Sequence, residues 1–187
     1  MRKSGILLHI SSLPSPHGIG SMGAEARKFI DFLSAGGQSY WQVLPLSPTG
    51  YGDSPYQSFS SYAGNPYFID LDTLREDGLL EYSDYCDTYW GDNPERADYG
   101  ALYRGRFPIL RKAACALLSR DDPGFLDFCR KASFWLDDYA LFMALKDSHG
   151  GLSWSEWETP LRFREEPALS EARLTLSPDI DFYKALQ

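Results

Sequence analysis

The stretch from Gly50 to Tyr67, GYGDSPYQSFSSYAGNPY, sets four tyrosines and a phenylalanine among Ser, Gly, Pro, Gln and Asn, with one acid, Asp53. Gly and Pro break it too often for a regular element. It is also too aromatic for an ordinary surface loop. Five rings cannot all pack beneath one loop. Phe59 and Tyr67 suit a core role, whereas Tyr51 and Tyr56, flanked by Gly, Ser, Gln and Asp, are expected to present their rings outward. A tyrosine offers a flat apolar face and one hydroxyl. A pyranose offers an apolar C–H face with a rim of hydroxyls. With Ser54 and Gln57 to bond those hydroxyls, the stretch has the chemistry of a neutral sugar-binding wall. A packed Ω-loop without a ligand is the other reading of the same composition. Asp53 reads first as a turn residue in Gly52-Asp53-Ser54-Pro55, and second as a group with a direct chemical role.

Other chemistries find less support. The chain has no phosphate-cradling glycine loop ending in Lys-Ser/Thr, no H-E-x-x-H and no C-x-x-C. His9, His17 and His149 are scattered: His9 reads as a core histidine in an apolar strand, and His17 as a loop residue at that strand's C-terminal end. Cys86, Cys115 and Cys129 fit no metal spacing, and Cys115 and Cys129 are expected to be reduced core thiols. No metal or cofactor is called for. The formal net charge of −8 argues against a nucleic-acid partner, because phosphate binding needs Lys and Arg. A neutral ligand needs no such field. The apolar run Ile6 to Ile10 is too short for a signal peptide, and no stretch reaches transmembrane length, so a cytoplasmic protein is expected.

The elements that would position the aromatic loop can be read before it. Gly5 to Ile10 is a short apolar run that suits a strand buried on both faces. Ser21 is a plausible N-cap, and Ala26, Phe29, Ile30 and Leu33 mark one face of a helix that Gly36 and Gly37 stop. Ser39 to Leu46 is a second strand, ended by Pro45 and Pro48. The result is a βαβ unit with parallel strands, and the aromatic loop leaves the C-terminal end of the second strand. That is where β/α barrels and open α/β sheets build their sites. Tyr67 to Leu74 reads as a third strand with one wet face. A loop follows, then a helix over Tyr103 to Leu118 that Pro108 kinks or starts. The strongest helical stripe runs from Phe125 to Met143, with a stop at Gly150-Gly151. A two-tryptophan loop, LSWSEWETPLRF, comes next.

Two of these segments carry a resemblance. SGILLHISSLPSPHGIGSMG, together with YWQVLPLSPTGYGDSPYQSFSSYAGNPYFIDLDTL, closely resembles the opening part of the 4-α-glucanotransferase family, also called amylomaltase or disproportionating enzyme. The likeness continues through FWLDDYALFMALKDSHGGLSWSEW and is weakest around Tyr82 to Ala97. The chain departs from the family at Ile10-Ser11, where Pro-Thr is commoner, and at His17, where an aromatic is common.

The resemblance implies an α/β fold: the N-terminal part of a (β/α)8 TIM barrel with a helical insertion, the barrel being incomplete in this chain. On that reading residues 1–75 hold the first barrel strands and the sugar loop, and residues 76–187 a mostly helical insertion. The partners implied are maltooligosaccharides and α-1,4-glucans. The family moves an α-1,4-glucan segment by a retaining double displacement, whose carboxyl pair sits about 5 Å apart. No segment here resembles the catalytic motifs, so no catalytic residue is assigned, and the carboxylates are expected beyond Gln187. By the resemblance, Ser54 and Tyr56 line donor subsites beside the scissile bond, while Tyr51 and Tyr103 form a second glucan site. A related α-glucan hydrolase and a stand-alone glucan-binding protein are the alternatives. The uncapped FYKALQ ending speaks against the last of these.

Overall fold

The computed structural model describes residues 2–187, apart from the side chain of Tyr51. Two compact units divide it, Met1–Ala113 and Ala114–Gln187.

The expected βαβ unit opens the first. Strands β1 (Gly5–Leu7) and β2 (Tyr40–Gln42) pair in parallel, with Gly5 opposite Tyr40, Ile6 opposite Trp41 and Leu7 opposite Gln42. The Trp41 indole N–H donates to the Leu8 carbonyl at 2.7 Å and braces the pair. Both strands are shorter than the apolar runs that suggested them; after β1, Ile10–Ser12 closes into a 3-10 turn. Burial on both faces is not what this chain shows. Leu7 and Tyr40 are 58% and 57% exposed, and Ile6 and Trp41 are half-buried. Parallel strands are buried when elements cover both faces. A two-stranded sheet lacks those neighbours.

Helix α1 (Ala24–Ala35) buries Ala26 and Leu33, half-buries Phe29 and leaves Ile30 exposed. It ends at Gly36 and Gly37, the latter at φ 67° as a helix stop requires. Its N-cap is Gly23, not Ser21. Ser21 instead donates its hydroxyl to Asp70 at 2.5 Å. Asp70 also explains why the expected third strand is absent. Its carboxylate accepts from the Thr73 amide at 2.8 Å and the Thr73 hydroxyl at 3.0 Å, an N-cap that starts helix α2 (Leu71–Glu76). Leu71 is wholly buried, and the alternation that looked like a strand is the edge of a helical turn. The core of this unit gathers Ile10, Leu13, Ile19, Ala26, Tyr67, Phe68 and Leu102. Leu102 lies on helix α3 (Tyr99–Leu118), which starts before the expected Tyr103 and carries Pro108 inside it.

In the second unit, helix α4 (Pro123–Ser148) follows the apolar stripe read from the sequence. Asp122 caps its start through the Phe125 amide at 2.7 Å, and Gly150 and Gly151, both at positive φ, follow its end. The segment expected as a two-tryptophan loop contains a short helix, α5 (Thr159–Arg162). Helices α6 (Glu166–Thr175) and α7 (Ser177–Leu186) follow, and α7 packs along α4. Tyr183 donates to Asp147 at 2.5 Å and Lys184 pairs with Asp137, pinning that contact. The cysteines depart from expectation: Cys86 and Cys115 are exposed and Cys129 is half-buried. On α3, Ala113 and Ala114 take the inward positions and turn Cys115 outward.

Two predictions follow from these junctions. A Cβ on Gly23 would lie 2.1 Å from Asp70 Oδ2, so Gly23→Ala should cost about 1–3 kcal/mol in denaturant unfolding. Gly36→Ala, with nothing nearer than 3.4 Å, should change it by no more than about 0.5 kcal/mol. His149 stacks on Trp157 at 5.1 Å and pairs with Glu158 at 2.8 Å. The Glu158 bond raises its pKa above the ordinary 6.5, outweighing burial, and the bond to the Leu145 carbonyl adds to the rise. A raised folded pKa stabilises fully below the unfolded value and loses that effect as pH climbs through the folded one. The second unit should therefore weaken above pH 6.5, as followed by tryptophan fluorescence, and His149→Gln should flatten that slope.

Candidate functional site

The aromatic loop follows β2, and its form is set by its own small residues. The Asn65 amide donates to the Leu46 carbonyl at 2.8 Å and ties the loop's end to the segment after the strand. Within it, the Gly50 amide donates to the Gln57 carbonyl at 2.8 Å, and the Gln57 amide to the Ser54 carbonyl at 3.1 Å. Hydroxyls complete the turns. Ser54 accepts from the Tyr56 amide at 3.3 Å, and Ser60 from the Tyr62 and Ala63 amides at 3.1 Å. Side-chain-to-backbone bonds of this kind fix local turns. Gly52 and Asp53 sit side by side at φ 78° and 54°, the left-handed region that Gly enters freely and Asp tolerates better than most.

This backbone turns Tyr56 out. Its ring is 73% exposed and stands on the wall of an open groove of roughly 490 Å³. Pro45 and Ser47, from the segment just after β2, form another part of the groove, with Pro55, Ser58, Phe59, Ser60 and Ser61 completing it. Phe59, expected in the core, is 41% exposed here. Tyr67 is in the core, at the loop's end, with ring contacts to Tyr99 at 5.6 Å and Phe107 at 5.9 Å. Among the described residues, no carboxylate lines the groove. It offers ring faces, hydroxyls and carbonyls, which can hold a neutral polyol but supply no acid or nucleophile.

The other residues singled out from the sequence are distributed as follows. Ser54 is half-buried and Gln57 exposed, and neither lines the groove. Asp53 is half-buried, and burial raises its pKa. Its charge is felt by Tyr67 and Tyr99, whose phenols are pushed up mainly by their own burial and further by Asp53. The Tyr103 ring is 57% exposed and lies 5.1 Å from Phe107. The Tyr51 side chain falls outside the described residues, so its pairing with Tyr103 is untested by the geometry. His17 is buried, with edge contacts to Tyr85 at 5.2 Å and Trp90 at 5.9 Å. His9 accepts from the Leu44 amide at 3.3 Å. Sequence reasoning missed Pro45 and Ser47 as groove residues. Their place just past a parallel strand was the available signal. Among the described residues, no three His, Cys, Asp or Glu side chains converge to hold a metal ion, and no helix is long and apolar enough to cross a membrane.

Tyr56 is too exposed to carry the fold. Tyr56→Ala should leave the unfolding free energy within about 0.5 kcal/mol of the parent, as measured by urea titration. A larger loss would make the ring a packing element.

Comparison with known proteins agrees with the sequence resemblance. A family model described as 4-alpha-glucanotransferase matches residues 8–187. A 4-alpha-glucanotransferase of Thermus thermophilus is 50% identical over the whole chain, which covers 37% of that relative. One from Clostridium butyricum is 47% identical over 96% of the chain, again 37% of the relative. A solved amylomaltase from Streptococcus agalactiae, in complex with acarbose, superposes with a TM-score of 0.96 at 42% identity, across all of this chain and 38% of that one. The chain thus spans a little over a third of the length of these relatives.

Proposed function

Since the chain belongs to the 4-alpha-glucanotransferase family, we propose that it supplies a substrate wall to an enzyme transferring α-1,4-glucan segments between maltooligosaccharides. The observation that carries this is the exposed Tyr56 ring on a groove free of carboxylates. An acarbose-bound amylomaltase as structural neighbour supports an oligosaccharide as the occupant. In this reading a glucose ring lies its C–H face on Tyr56 while groove serines bond its hydroxyls, and Ser54, outside the groove lining, meets a neighbouring sugar. Asp53 and Gln57 contribute polar contacts at the loop's shoulder, and Tyr51 with Tyr103 forms a second glucan contact.

The two-stranded parallel sheet is then the start of a (β/α)8 barrel. Its exposed rows at Leu7 and Tyr40 are the faces that further barrel elements would cover. The division of labour runs near residue 75, the strands and sugar loop before it and a helical insertion after it. The nucleophile and acid/base of a retaining double displacement belong to the part of the family's length outside residues 1–187. Two carboxyls about 5 Å apart are required for that mechanism, and the groove has none. The three free thiols suit a reducing, cytoplasmic setting.

The 187-residue chain, incubated with maltotriose, should release no glucose and build no longer oligosaccharides. It should bind maltoheptaose in calorimetry, and Tyr56→Ala should weaken that by about fivefold, equivalent to about 1 kcal/mol of stacking. A product ladder abolished by Asp53→Asn would move the catalytic centre into this segment and overturn the assignment.

A further inference from the structure

Among the described residues, Arg106 on α3 is the only Lys, Arg, Asp or Glu that is buried, with none of its surface exposed. One guanidinium nitrogen donates to the His17 carbonyl at 3.4 Å and another to the Ile69 carbonyl. The group also lies 5.9 Å from the centre of the Trp90 ring. Among the described residues its Nε has no partner. Burial lowers its pKa to about 10, opposed by Asp70 and Tyr67, so it stays charged at neutral pH. A buried charge with an unmet donor is a poor way to gain stability, since apolar side chains of similar volume often do better.

What the arrangement does achieve is a tie between distant segments. His17 belongs to the loop after β1, and Ile69 closes the segment that follows the aromatic loop after β2. A planar guanidinium presents several donors in fixed directions and can serve two carbonyls at once, which an ammonium does less well. The next residue along α3, Phe107, packs on Tyr67 at the loop's end. Two further ties run parallel: Ser21 to Asp70 at 2.5 Å, and the Met22 amide to the Phe68 carbonyl at 2.9 Å. The Asn65 amide, bonded to the Leu46 carbonyl, then passes this anchoring to the Pro45–Ser47 side of the groove.

We propose that Arg106 is a positioning residue for the sugar wall, locking the loop after β2 onto the loop after β1 and so setting the groove in which Tyr56 stands. It touches no substrate itself. The proposal rests on the reading of that groove as a glucan site. Removing the guanidinium does not strip Asp70 of its partners, since that carboxylate keeps the Ser21 hydroxyl and both Thr73 donors. The fold should therefore survive while the loop loosens.

The test uses the 187-residue chain, with Arg106→Met and Arg106→Lys, and two readouts: maltoheptaose affinity and amide hydrogen exchange. In Arg106→Met, exchange at the Met22 and Asn65 amides should rise about tenfold while α4 amides stay as protected as in the parent. Affinity should fall by about tenfold, since a displaced wall loses orientation. Arg106→Lys, still cationic but able to hold fewer carbonyls, should recover part of both. A folded Arg106→Met chain that binds within twofold of the parent overturns the proposal. Should that variant lose protection throughout residues 1–113, the lysine variant decides: weaker binding at an unchanged melting temperature supports positioning, and parental binding overturns it. If the parent itself fails to bind maltoheptaose, the glucan reading is what fails. Exchange at Met22 and Asn65 then stands alone: a rise upholds the clamp between the loops, and no change removes it.

Discussion

The Asp70 carboxylate occupies the junction of three elements in the first unit. It caps α2 through Thr73, takes the Ser21 hydroxyl, and lies so close to Gly23 at the start of α1 that no side chain fits there. Burial pushes its pKa up, but the hydrogen bonds from Ser21 and Thr73 outweigh that and hold it below the ordinary carboxylate range. One ionised group thus satisfies donors from one helix start and one loop, and a helix N-terminus favours a negative charge beside it. Buried Arg106 provides the opposite charge nearby without touching it. The result is a polar knot beneath an otherwise apolar core, and the two loops that leave the parallel strands are fastened to it.

The aromatic loop relies on a different economy. Its hydroxyls and turns hold the backbone, which leaves Tyr56 free to face solvent. The anchored end is aromatic as well, with Tyr67 set into the core against Tyr99 and Phe107. A rigid, uncharged wall suits a ligand that is itself uncharged and flat-faced: orientation comes from shape and hydrogen bonding, with no field to steer it. The chain's acidic balance has little bearing on such a groove, because its described lining residues include no Asp, Glu, Lys, Arg or His.

What could be read from the sequence was what local pattern decides. The βαβ unit, the glycine stop after α1, the long stripe of α4 and the place of the aromatic loop after β2 all follow from periodicity and turn chemistry. The misread elements turned on partners far away in sequence. Tyr67 to Leu74 has a strand's alternation, and only the Asp70 cap makes it helical. Ser21 has the right type for an N-cap but bonds a residue 49 positions on. Arg106 sits in a helical pattern where arginine ordinarily faces water. Its burial depends on carbonyls of two loops that no window of sequence brings together. Strand burial was misjudged for another reason: hydrophobicity records what a segment is suited to touch, and here the covering neighbours are absent from the two-stranded sheet.

The spacing of the Arg106 clamp also orders events in time. Its guanidinium and the His17 carbonyl are 89 residues apart, and Ser21 and Asp70 are 49 apart. On a ribosome, chain emerges from the N-terminus, so the strands and both loops are made well before the residue that fastens them. Until α3 has been synthesised, the aromatic loop lacks its Arg106 anchor. The second unit's main contact, α7 against α4, closes over a shorter separation, as in the Tyr183–Asp147 bond between residues 36 apart, and it carries a smaller loop-closure cost. The earliest-made part of the chain is therefore the part that must wait longest for its final shape.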